Sequence, residues 1–69
     1  MRTLYKTIEL DRIKKGLTVD EYCKEAGISS LTYYRLKENK PQAKTFVKIS
    51  NITGMDIEDL LDLPMKHNE

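Results

Sequence analysis

This 69-residue chain reads as an all-α domain built from five short helices. No apolar–polar alternation runs long enough to make a strand. Gly16, Gly27 and Gly54 each close a helix-like stretch, where a residue of positive φ is wanted. Thr18 and Ser29 stand where the next helices need N-caps. A chain of this size makes one small domain, which buries only about 60% of its unfolded surface. Residues 1–64 form that domain in this reading, and 65–69 are a frayed tail.

The first helix spans about Leu4 to Lys15 and ends in Arg12, Lys14 and Lys15, cations that suit the negative end of the helix dipole. Its apolar residues Leu4, Tyr5, Ile8, Leu10 and Ile13 spread over a wide arc. Thr18 then opens the second helix, with Glu21 three residues on to complete a capping box. Val19, Tyr22, Cys23 and Ala26 form its apolar stripe at i, i+3, i+4 and i+7. Ser29 caps a third helix of similar length that ends near Asn39, where asparagine can take a left-handed conformation, and Pro41 blocks continuation. The fourth covers Ala43 to Thr53 and buries Phe46, Ile49 and Ile52, with Val47 at the edge. Asp56 and Asp59 resemble another capping pair, which opens a short acidic helix through Leu63 that Pro64 ends. Ile57, Leu60 and Leu61 would fill its core side.

Twelve Lys and Arg against eleven Asp and Glu leave a net charge of +1 and a pI near 7.8. A nucleic-acid binder more often has a pI above about 9. The near-neutral total hides a polarised chain. Through Lys48 there are eleven basic and six acidic residues; from Ile49 onward there are one basic and five acidic. Other classes are closed by composition. One Cys and one His leave no disulfide framework, no metal cluster and no convincing Ser–His or Cys–His pair. No catalytic residue and no cofactor is therefore expected. Nothing is apolar enough to span a membrane, and no apolar signal core begins the chain, so a cytoplasmic protein is expected.

Two helices of about eight residues, joined through Gly27-Ile28-Ser29, have the spacing of a helix-turn-helix. On the third helix Tyr33 and Leu36 would pack inward beside Ile28, while Leu31, Tyr34 and Arg35 point the other way, flanked by Ser30. A helix that shows solvent a Leu, a Tyr and an Arg together is unusual unless it meets something. Arg can make a bidentate contact to guanine, and Leu can pack on a thymine methyl.

The run G-L-T-V-D-E-Y-C-K-E-A-G-I-S-S-L-T-Y-Y-R-L-K-E-N-K-P, with the later G-M-D-I-E-D-L-L, resembles the Cro/repressor-type (Xre-like) helix-turn-helix family. The resemblance covers roughly Ile8 to Leu63. It implies a compact five-helix bundle of the lambda-repressor-like type, and a transcriptional regulator that binds palindromic double-stranded DNA as a homodimer. By position it implies base reading by Ser30, Leu31 and Arg35. Groove or phosphate contacts would come from Thr18, Thr32, Tyr34, Lys37, Lys40 and Lys44. Three departures stand out. Val19 replaces the glutamine that usually follows the second-helix cap. Lys37 replaces a buried glutamate that usually pairs with the first-helix arginine, so Arg12 lacks its usual partner, and an Arg12–Lys37 approach would be repulsive unless one of them swings to solvent or DNA. Asn39 replaces a common glycine, with Glu38 close to the expected phosphate path.

Simpler roles account for other candidates. Cys23 reads as core, His67 as a solvated tail residue, and Asp56, Glu58, Asp59 and Asp62 as caps and an exposed acidic face. Tyr34 either contacts DNA or shields a core edge. Leu63 and Met65 are either a dimer contact or a loosely packed C-terminus. The function expected is a DNA-binding repressor of a bacterial, phage or mobile-element operator. With no effector domain after the DNA-binding unit, it would have no small-molecule ligand. The alternatives are a protein-interaction module, antitoxin-like or anti-regulator, and a winged-helix excisionase-like protein. The latter needs a β-hairpin where Phe46–Thr53 reads helical.

Overall fold

The computed structural model describes residues 2–65. It contains five helices, α1 (Leu4–Lys15), α2 (Val19–Ala26), α3 (Ser30–Arg35), α4 (Ala43–Thr53) and α5 (Ile57–Leu61), and no strand among the described residues. α4 thus occupies the stretch that a β-hairpin after α3 would need. No helix is long and apolar enough to cross a membrane. The predicted tail beyond Met65, with His67, lies outside the described residues.

Local signals set most helix ends. Thr3 caps α1 through its hydroxyl, which accepts from the Lys6 N–H at 3.1 Å. Thr18 and Glu21 form a complete capping box on α2: Glu21 N–H donates to Thr18 Oγ1 at 3.1 Å and Thr18 N–H to Glu21 Oε1 at 2.9 Å. Gly27, at φ +77°, ends α2 in the left-handed region that a Cβ would penalise. Its N–H and that of Ile28 both donate to the Cys23 carbonyl, at 2.9 and 3.0 Å.

The capping box carries a pH dependence. Hydrogen bonds from the Thr18 backbone, and then its side chain, hold the Glu21 carboxyl below its ordinary value. The stabilisation is therefore present above the unfolded value of about 4.3 and lost as pH falls through the lower folded value. Thermal melts of Glu21→Gln and wild type should converge as pH drops below about 4 and separate above it. At neutral pH Thr18→Ala should cost about 1 kcal/mol.

Two helices end earlier than expected. α3 stops at Arg35, and the chain continues in tight turns in which Leu36, Lys37 and Glu38 donate to Tyr33, Tyr34 and Arg35, at 3.3, 3.3 and 3.0 Å. Asn39 is not left-handed; no non-glycine residue among those described has positive φ. A left-handed asparagine costs energy that successive right-handed turns avoid, and these keep Leu36 buried. α5 closes at Leu61, and Asp56 precedes it without a side-chain cap hydrogen bond, so the expected capping pair does not form.

The core joins Leu4 and Ile8 of α1, Tyr22 and Cys23 of α2, Tyr33 and Leu36, Phe46 and Ile49 of α4, and Leu60 of α5. The assignment of α5 needs correction. Ile57 and Leu61 are 37% and 47% exposed, whereas Leu63 and Met65 pack against the core. A five-residue helix points few side chains in one direction, and Leu60 takes that place. The chain after it folds back: the Pro64 carbonyl accepts the Leu4 N–H at 3.0 Å, satisfying a donor that α1 leaves open. Met65 therefore belongs to the packed domain and not to a tail.

Polar contacts pin the helices across this core. Tyr22 donates its hydroxyl to Asp11 Oδ2 at 2.7 Å, and Lys15 Nζ donates to the same oxygen at 2.5 Å and to the Ile52 carbonyl at 2.6 Å. Burial first, and then the Asp11 contact, push the Tyr22 hydroxyl well above its ordinary pKa. α1, α2 and α4 are thereby joined at one point.

Candidate nucleic-acid interface

α3 is too short to hold its own shape, so its neighbours must orient it. Tyr33 does most of this from the buried side. It is fully buried, and its ring meets those of Tyr5, Tyr22 and Tyr34 edge to face at 5.6, 6.1 and 5.5 Å. Its hydroxyl donates to Glu9 Oε2 and accepts from Arg12 Nε at 3.3 Å. Arg12 also pairs with Glu9 at 3.0 Å and donates to the Leu17 carbonyl at 2.8 Å. The missing partner at position 37 is thus supplied from within α1, one turn back. The hydrogen bond that Arg12 donates to Glu9 raises the Arg12 pKa further. Lys37 swings away and sets its Nζ over the rings of Tyr5, at 5.2 Å, and Tyr34, at 5.8 Å.

A second brace comes from α4. Lys48 Nζ donates to the Gly27 carbonyl at 2.9 Å, fixing the turn between α2 and α3. Sequence reasoning counted Lys48 only as a charge, because its partner lies 21 residues away. Glu9 was also missed, although its i,i+3 relation to Arg12 was a readable signal.

The outer face of α3 is open. Ser30 and Arg35 are exposed, Leu31 is 58% exposed and Tyr34 48%. Thr32 is half-buried and tied to the cap: its N–H donates to Ser29 Oγ at 3.0 Å and its hydroxyl accepts from Ser29 at 2.9 Å. The hydroxyl of Thr18 is likewise held by the capping box at the start of α2.

Beside Arg35 an open groove of about 460 Å³ runs between the end of α3 and the start of α4. Arg35, Lys40 and Lys44 line it, and no acid does. None of these three cations makes an ion pair with another described residue. Gln42 opens α4 into the same groove without a side-chain cap bond, which leaves backbone N–H groups of the first turn for an outside acceptor. Thr45, more than nine-tenths buried, also reaches it. The groove and the α3 face are continuous through Arg35.

The structure thus brings Ser30, Leu31, Tyr34 and Arg35 onto one face and Arg35, Lys40 and Lys44 into one groove. It places Leu63 and Met65 in the domain's own packing. Compared with protein-family models, curated proteins and solved structures, the chain matches none.

Proposed function

We propose that the domain is a sequence-specific DNA-binding regulator of transcription, with α2 and α3 as a helix-turn-helix of the lambda-repressor-like type. The observation that carries this reading is the open α3 face that leads, through Arg35, into a groove holding three unpaired cations and the uncapped start of α4. α3 enters the major groove, with Ser30, Leu31 and Arg35 toward base edges. Lys40, Lys44 and the first turn of α4 grip a phosphate beside it. Two copies on a palindromic operator set their α3 helices about 34 Å apart. The outcome is repression in the cytoplasm through occupancy of the operator, with no catalysis.

Selection of bound sites from random double-stranded DNA tests this directly. The expected result is one enriched motif with two-fold symmetry, and affinity that falls steeply as salt rises because counterions are recaptured. No enrichment at low salt would refute the proposal. The exposure of Leu31 and Tyr34 favours one other reading, a protein partner docked on α3. That complex would tolerate salt far better and would also be lost on Arg35→Ala.

A further inference from the structure

We infer that Lys37 is a positioning residue, which sets the Tyr34 ring at the edge of the α3 face; this rests on the DNA-binding reading above. Tyr33 is a fixed hub, fully buried, with the rings of Tyr5 of α1 and of Tyr34 both packed edge to face against it. Lys37 spans the two outer rings, with its Nζ 5.2 Å from the centre of Tyr5 and 5.8 Å from that of Tyr34. It makes no ion pair with a described residue, so the two ring faces are what holds its ammonium. A ring that is 48% exposed can occupy more than one χ1 well, and a cation seated on its face favours one of them. Tyr34 precedes Arg35 on the same exposed face, so its rotamer decides what it meets beside Arg35. Lys37 then acts through Tyr34 and touches no phosphate itself. Tyr5, half-buried on α1, belongs to the same device although it lies off the α3 face.

The first test needs no ligand. In the free protein the Lys37 ε-methylene protons should lie upfield of their random-coil positions in NMR spectra, and Tyr5→Leu and Tyr34→Leu should each move them back. Random-coil positions in the wild type would overturn the inference whatever the protein binds. The second test uses sites recovered from random DNA. Lys37→Met should weaken binding roughly two- to fivefold and broaden the preference at one base step, with the salt slope unchanged. Lys37→Arg should restore both. Lys37→Met in a Tyr34→Ala background should change nothing further. A slope reduced by about one, with the preference intact, would make Lys37 a phosphate contact and overturn the inference. Shifted lysine protons without any enriched motif would instead overturn the DNA reading, and with it the role of Tyr34.

Discussion

Tyr33→Ala should remove about a third or more of the domain's stability and unfold it at 25 °C if that stability lies near the low end for its size. A domain of 69 residues has a stability of about 3–10 kcal/mol. Truncating a fully buried aromatic side chain costs about 3–5 kcal/mol. Here the loss includes edge-to-face contacts with three other rings and the hydroxyl that Glu9 accepts. α3 has only six residues and no other deeply buried side chain within its span, so nothing replaces this anchor. Tyr33→Phe isolates the hydroxyl: the ring remains, Arg12 still pairs with Glu9, and the expected cost is about 1 kcal/mol, or about 4–8 °C in Tm. Far-UV circular dichroism melts measure both. A Tyr33→Ala variant that melts within a few degrees of wild type would show that α3 is held by something else.

Arg35→Ala should do the opposite, sparing stability and removing recognition. The side chain is exposed and makes no ion pair with a described residue, so the melting temperature should stay within the scatter of surface substitutions. Loss of a bidentate contact to guanine costs about 1–3 kcal/mol, roughly 5- to 150-fold in affinity. The loss should be confined to one base position of the selected motif, and Arg35→Lys should rescue it poorly because the planar fork is gone. Lys44→Ala should instead weaken all sequences alike and lower the salt slope by about one. Titration of each variant against a panel of single-base operator mutants separates the two patterns. Uniform weakening by Arg35→Ala would move Arg35 from base reading to phosphate contact.

Legibility from sequence followed the range of the interaction responsible. The ends of α1 and α4 were readable because Gly16 and Gly54 act within a few positions, and Pro41 marked the break before α4. The inward Tyr33 and Leu36, and the outward Leu31, Tyr34 and Arg35, follow from helical periodicity alone. α5 was not readable in this way. Three of its five residues are apolar, and periodicity over so short a span cannot say which one turns inward. The burial of Leu63 and Met65 depends on Pro64 meeting Leu4, a contact across the whole domain. The end of α3 depended on a choice between one left-handed residue and several tight turns, which composition does not decide. In the candidate site, the cations of the groove were legible one at a time. Their convergence with the open end of α4 was not, since it depends on how α4 packs beside α3.

The single buried thiol gives the molecule its own clock. Cys23 is 4% exposed, and burial, followed by the nearby Asp20 charge, raises its pKa. Alkylating reagents attack the thiolate, so the native protein should be almost inert to them. Modification then waits for α2 to lift from the core, and its rate in excess reagent reports how often that opening occurs. Because the chain has no second cysteine, the mass change is unambiguous. The lifetime of the α2–α3 unit can therefore be timed without an introduced label, with DNA present or absent, and a ligand held by α3 should lengthen it.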